Sequence, residues 1–409
     1  MVESDGFTVG HAVVSSILWI KGWSCAIINL RSSMSIVCVR KHAPRDTGGG
    51  LVVERSSGPE GVERPRVEVG LGALTAQTRS GTAAESTEAL TMLLDTCVLA
   101  EDEGLDSAWV AEHHFAADGF LSSPMTVLAA LSQRTSRIRL STNVMIGPLY
   151  DPIRLAEDAA VVDQLSRGRL MLGLGLGYRD VEFAGLGRRR QERGRRLDDL
   201  INVLRQAWSG KPVEHHGLGT YKTPPVTPLP FQQDGPPVLV GAFAEAGLRR
   251  AVRLGNGWLA PELRHWRGLE KRVAALGLDS RTDPFHVAVT VNAFVAARDA
   301  WETVRPGVAH VAGQYRSWLV ESGDLPALEG KEFEYEADET GKPPQFVAGT
   351  PEQCVAQLRP WWRILARLPE HVQPHLILGM TFPGVSREAT FESVRLLARE
   401  VVPALNAEE

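Results

Sequence analysis

Eight short apolar runs, each followed by a stretch with helical spacing, recur between Arg66 and Leu405. They are Val67–Leu71, Ser107–Ala111, Ile138–Met145 and Arg169–Leu174, then Pro237–Gly241, Gly257–Ala260, Phe285–Ala296 and His375–Gly379. Short runs of this kind fit strands buried on both faces, which parallel sheets require. Between the first two, Leu90, Leu93, Leu94, Val98 and Leu99 repeat at helical spacing and stop at Gly104. A helix to roughly Glu321 is expected after the seventh run. Eight alternating units predict an α/β fold, a (β/α)8 TIM barrel over residues 65–409. A doubly wound open sheet is the alternative.

Insertions are expected after strands four and seven. Lys211–Gln233 is rich in Pro and Gly, with room for a short hairpin, and Ser322–Pro344 carries acids with Phe333 and Tyr335. Long loops inside compact domains often close over sites. Residues 1–64 lack clean periodicity and end in a Gly/Ser/Pro-rich linker from Thr47 to Pro65, so they read as a poorly ordered N-terminal extension.

Composition narrows the function. A net charge of −5 gives no reason to expect nucleic acid as a partner. No stretch reaches the roughly 18 uninterrupted apolar residues of a membrane helix. Cys25, Cys38, Cys97 and Cys354 are far apart and form no CxxC pair, which fits a reducing, cytoplasmic setting and disfavours structural zinc.

Chemistry concentrates at three strand ends. The second run stops at Glu112-His113-His114-Phe115. Neighbouring strand residues face opposite ways, so one histidine should face a pocket and the other its wall. A histidine titrating near neutrality suits proton transfer, whereas a metal would lack a third ligand nearby. The fourth run stops at Gly173, Gly175 and Gly177, followed by Tyr178 and Arg179. Alternating glycines clear one face, so that a flat ligand can lie against backbone. The spacing is not the GxGxxG of a dinucleotide fold. Gly241-Ala242-Phe243-Ala244 leads into a helix whose free N–H groups suit a phosphate. The basic run Arg188, Arg189, Arg190, Arg193, Arg195 and Arg196 could send an arginine to the same phosphate.

In order and spacing these residues resemble the luciferase-like flavin monooxygenases. The likeness rests on AEHHF, Ser122-Ser123-Pro124, Asp151-Pro152-Ile153-Arg154, Asp163-Gln164-Leu165-Ser166-Arg167-Gly168-Arg169 and GLGLGY. Further on it rests on Pro237–Gly241, Gly255–Trp258 and Gly349-Thr350-Pro351-Glu352. It covers Arg66 to Leu405 and implies a TIM barrel binding reduced FMN, or in some branches a deazaflavin, for reaction with O2 on a small organic substrate. A flavin-binding protein without catalysis is a further alternative.

The resemblance makes Glu112 an acid beneath the flavin and His113 the catalytic histidine. It makes Asn143 and Val144 a non-proline cis peptide under the ring. Gly175 stands where luciferase carries a pocket cysteine. Gly175 and Gly177 join the cofactor-binding residues, and Tyr178 and Arg193 or Arg196 become contacts toward the phosphate, as does the turn of Gly241, Phe243 and Ala244. There Phe243 and Ala244 replace the hydroxyl residue common in the family. The resemblance also implies a homodimer and a lid at Ser322–Pro344. With no NAD fingerprint, it implies a separate NAD(P)H-driven flavin reductase.

Overall fold

The computed structural model describes residues 65–260, 266–323 and 346–407, together with the backbone of four strands between residues 8 and 40. The eight barrel strands are Glu68–Leu74, Ser107–Val110, Arg139–Thr142, Leu170–Gly175, Val238–Gly241, Gly257–Ala260, Phe285–Val295 and Val372–Gly379. Each pairs in parallel with its successor. Val238 opposite Leu172 joins the two halves, and His375 opposite Glu68 closes the ring. The structure is the barrel expected, not an open sheet.

Strand spacing explains the interior. Trp109, Met171, Leu239, Leu259, Ala288 and Ile377 pack as one buried cluster. Trp109 fits because the neighbouring strand has no side chain there. A Cβ on Gly70 would lie 2.8 Å from the indole nitrogen, and one on Gly72 would lie 2.0 Å from Ile377 Cγ2. Small residues opposite large ones fill a closed barrel without voids.

Several sequence motifs prove to be scaffolding. Asp151 caps the helix Pro152–Ser166 by accepting from the N–H groups of Ile153 and Arg154, with Pro152 in the first turn. Thr350 and Gln353 form a capping box on the helix Pro351–Leu365. In the Asp163–Arg169 stretch, Arg169 donates to the carbonyls of Ser132, Thr135, Ile138 and Ser166. Those bonds tie two αβ turns together at the N-terminal face, opposite the face where barrel sites form.

Three expectations need correction. The third strand is not continuous. It runs from Arg139 to Thr142, breaks at a cis peptide between Asn143 and Val144, and resumes at Met145–Ile146. The helix expected to reach roughly Glu321 is present as Ala300–Glu321 and packs on strand seven, but the helix packed on both strands seven and eight is Pro351–Leu365. The sequence spacing predicts a long helix over Arg189–Trp208, but it begins only at Arg193, after a short unforeseen helix, Asp180–Gly185. The expected hairpin is present as Pro212–His216 paired with Thr220–Pro225.

Residues Met1–Gly61 form a unit of their own. Its strands Thr8–Val9, Ala12–Ile20, Trp23–Leu30 and Ser33–Arg40 pair antiparallel in chain order, where the sequence pattern gave no regular element. The linker 47–64 and the proposed lid residues 324–345 lie outside the described residues. Among the described residues no helix is long and apolar enough to cross a membrane.

At the N-terminal ends of the strands, His286 Nδ1 lies 2.9 Å from His375 Nε2, and His375 Nδ1 lies 3.2 Å from Glu68 Oε2. Arg139 Nε is 3.3 Å from the same Glu68 oxygen. Burial, then the neighbouring His375 and Arg139, depress the His286 pKa to about 3. The unfolded chain therefore takes up a proton near the ordinary value of 6.5 that the folded chain refuses. Stability should fall as pH drops from about 6.5 toward 3, by up to ~1.4 kcal/mol per pH unit from this group. Urea midpoints across that range should show the slope, and His286→Asn should flatten it.

Candidate active site at the C-terminal end of the barrel

The second strand delivers Glu112, His113 and His114 to the C-terminal face, and Arg179 and Glu182 reach them from the chain beyond the fourth strand. His113 is 7% exposed, and its Nδ1 lies 2.8 Å from Glu182 Oε1. The Glu182 carboxylate also accepts the His114 N–H at 3.0 Å and pairs with Arg179 Nη1 at 3.2 Å. Burial opposes the Glu182 charge, but His113, the His114 N–H and Arg179 outweigh it and hold the carboxyl below its ordinary range. A carboxylate accepting from Nδ1–H fixes the tautomer and leaves His113 Nε2 to exchange a proton with a ligand.

His114 faces the other way, as the strand alternation requires. Its Nε2 lies 2.9 Å from Glu112 Oε1. Burial disfavours the His114 cation, yet the hydrogen bond and charge of Glu112 raise its pKa. Glu112 also accepts from the Ile146 N–H at 2.6 Å and the Tyr150 hydroxyl at 2.5 Å. Burial, then the Glu112 charge, push the Tyr150 phenol far above its usual range. Both Glu112 oxygens are thus engaged with protein, and Glu112 clamps the backbone that follows the Asn143–Val144 peptide.

Val144 is the centre of a second arrangement. A Cβ on Gly175 would lie 2.5 Å from Val144 Cγ2, and one on Gly241 would lie 2.9 Å from Cγ1. The glycines expected to leave open backbone instead make room for Val144, whose methyls fill that space. Asn143 and Val144 are partly exposed, and Asn143 Nδ2 donates to Thr290 Oγ1 at 2.8 Å. Gly177 has φ +69°, and a Cβ there would meet Ile146 Cγ2 at 2.5 Å. Only glycine suits that combination.

The structure therefore gathers Glu112, His113, Val144, Gly175, Gly177, Tyr178 and Gly241 into one contacting set. Arg193 and Arg196 lie on the helix Arg193–Trp208, and Phe243 and Ala244 lie in the turn before the helix Glu245–Leu254; the two helices are tied where Arg250 Nη2 donates to Gly194 O at 3.4 Å. Ala244 precedes the helix Glu245–Leu254, which has no side-chain cap. Phe243 is 59% exposed, and Arg196 Nε lies 3.3 Å from Glu192.

Five residues of the site were not singled out from sequence, Glu182, Tyr150, Phe120, Tyr315 and Trp318, whereas Arg179 was named only as the residue after Tyr178. Phe120, Tyr178, Tyr315 and Trp318 surround the His113 ring with centroids 4.6–5.7 Å away. An acid directly before Phe183 on a short apolar helix was the signal available for Glu182. Among the described residues no cluster of three or more His, Cys, Asp or Glu could hold a metal ion.

A profile of luciferase-like monooxygenases matches residues 67–367. The chain belongs to the luciferase-like monooxygenase family. The oxygenase component of the flavin-dependent trigonelline monooxygenase of Acinetobacter baylyi is 32% identical over 37% of this chain and 42% of the relative. F420-dependent glucose-6-phosphate dehydrogenase 1 of Rhodococcus jostii is 31% identical over 51% of this chain and 61% of the relative. The chain thus spans about half the length of these curated relatives. The crystal structure of monooxygenase RslO1 from Streptomyces bottropensis matches with a TM-score of 0.68 at 21% identity, covering 83% of this chain and 99% of that one. That likeness shows a shared barrel. The luciferase-like family includes both flavin-dependent monooxygenases and F420-dependent oxidoreductases, and a flavin-type cofactor is common to both.

Within this candidate site, Glu182→Gln removes the charge that Arg179 and His113 share. It should lower the unfolding free energy by about 1–3 kcal/mol, as for other buried polar groups left without a partner. The Glu182 contribution is present above its unfolded pKa and fades as pH falls toward the lower folded value. Denaturant unfolding at neutral and acid pH should therefore show wild type and Glu182→Gln converging in acid.

Proposed function

We propose that the chain is a flavin-dependent monooxygenase that uses reduced FMN and O2 on a small organic substrate. The observation that carries this reading is His113, its tautomer set by Glu182, beside the cradle of Val144, Gly175 and Gly241. The cradle fits a flat ring: Val144 offers an apolar surface, and the two glycines keep its floor free of other side chains. The uncapped helix start after Ala244, with Arg193 or Arg196, fits the phosphate end.

Reduced FMN, when bound, supplies the electrons that activate O2. The chain's own residues do the rest. Val144, with Asn143, Gly175 and Gly241, supports the ring, while Gly177 and Tyr178 bound the space beside it. Glu112 holds the 143–150 segment in place through Ile146 and Tyr150. The aromatic residues around His113 exclude water, which strengthens the electrostatics of the site. His113 Nε2 takes up or returns one proton per cycle, while Glu182 stabilises the imidazolium at Nδ1.

The name of the Acinetobacter relative, an oxygenase component, supports a separate NAD(P)H flavin reductase as partner. A homodimer and a cytoplasmic setting go with the same reading, as does the division into an extension, 1–64, and a catalytic domain, 65–409. The second reading is a deazaflavin-dependent hydride-transfer oxidoreductase. The Rhodococcus relative supports it, and so do Phe243 and Ala244, which offer no hydroxyl to an FMN phosphate.

Anaerobic titration with reduced FMN, then with a reduced deazaflavin, followed by admission of O2, tests both. The expected result is FMN binding and substrate-dependent O2 uptake, with no turnover on NADH until a reductase is added. His113→Ala should lower turnover by about 10²–10⁴-fold while changing FMN affinity by less than about threefold. Binding of the deazaflavin alone would replace this reading with the second one.

A further inference from the structure

Charge also gathers at the opposite end of the barrel from His113, around a cavity of about 450 Å³. That volume falls within the range of small-molecule sites. Glu68, Glu101, Asp106, Arg137, Arg139 and Arg169 line the cavity. Leu105 adds an apolar wall, and a Cβ on Gly104 would meet no atom within 4 Å.

The three acids are already matched. Glu101 accepts the N–H groups of Ser136, Arg137 and Ile138 and the Ser136 hydroxyl. Asp106 accepts the Val69 N–H at 2.8 Å and pairs with Arg66. Glu68 Oε2 faces Arg139 Nε at 3.3 Å and His375 Nδ1 at 3.2 Å. The arginines are not alike. Arg169 spends its N–H groups on Thr135 Oγ1 and four carbonyl contacts. Arg137 commits one Nη to Glu101 O at 3.1 Å. Arg139 commits only Nε, and among the described residues no hydrogen bond reaches either of its Nη atoms. Its side chain is only 40% exposed, so those donors stand at the cavity wall rather than in open solvent. Glu68 Oε2 is itself buried without a well-formed hydrogen bond, so the pair attracts Arg139 but does not saturate it. With Arg66 on Asp106, four guanidinium groups meet three carboxylates, a local positive excess in a chain of net charge −5.

We infer that this N-terminal mouth of the barrel is a second ligand site, which binds a small oxyanion, carboxylate or phosphate, between Arg137 and Arg139. The groups left over on its wall are donors, so the ligand must bring acceptors. A guanidinium offers parallel N–H groups that match two oxygens of such an anion. Barrel chemistry collects at the other face. This end therefore binds rather than reacts, and it does so whichever flavin the C-terminal face takes.

Calorimetry on the full chain tests the site, with inorganic phosphate and malonate as probes and chloride holding the ionic strength constant. At least one probe should bind saturably, with a dissociation constant below about 1 mM. The tighter of the two tells a phosphorylated ligand from a dicarboxylate. Arg139→Gln should weaken that binding about tenfold or more, through the loss of charge-assisted hydrogen bonds. Arg137 is exposed and makes one side-chain hydrogen bond to the fold. Arg137→Gln should weaken binding about three- to tenfold, and it carries the test if Arg139→Gln does not fold. The double change Arg193→Gln with Arg196→Gln, at the far end of the barrel, should leave the affinity within about twofold. Failure of both probes to bind, binding that Arg137→Gln and Arg139→Gln leave unchanged, or binding lost in the double variant would each overturn the inference.

Discussion

Closing eight parallel strands into a ring sends every strand end to the same face, and the site follows from that constraint. Glu112 to His114, Asn143 to Ile146, Gly175 to Tyr178 and Gly241 are far apart in sequence, yet each stands at or just beyond the C-terminal end of a barrel strand. Closure in turn depends on the interior packing. Trp109 occupies space that Gly70 and Gly72 leave on the adjoining strand, so the ring closes around a solid core rather than a pore.

On this frame, two buried carboxylates divide the labour at the AEHHF turn. Glu112 faces His114, Tyr150 and the Ile146 N–H; Glu182 faces His113, the His114 N–H and Arg179. Each acid lies buried because several donors converge on it, which is the condition for an ion away from water. The adjacent histidines are consequently not equivalent. One is tied into the wall by an acid two residues away, and the other is aimed by an acid from a different strand end.

Much of the fold was legible because buried parallel strands and amphipathic helices leave distinct periods. The short strand Gly257–Ala260 matched to the residue, and seven others to within a few residues. The third strand misled because Ile138–Met145 holds no Gly or Pro to mark a break, and a peptide isomer has no period. The helix to Glu321 was visible, but its assignment to the barrel wall was not correctable from pattern, since both it and Pro351–Leu365 have apolar faces. At the site, His113, Glu112 and Val144 could be found because they sit at strand ends. Glu182, Tyr150 and Trp318 could not, because they reach the same place from turns and helices whose direction only tertiary structure sets.

The fit between Val144 and its two glycines also bears on how such a site can vary over time. The methyl groups of Val144 already fill the room beside positions 175 and 241. A lineage that acquires a side chain at either position must shrink residue 144, and one that shrinks residue 144 gains the freedom to place a reactive group at 175. Positions 144, 175 and 241 therefore form one packing unit, gathered from three strand ends, in which a larger side chain at one place requires a smaller one at another.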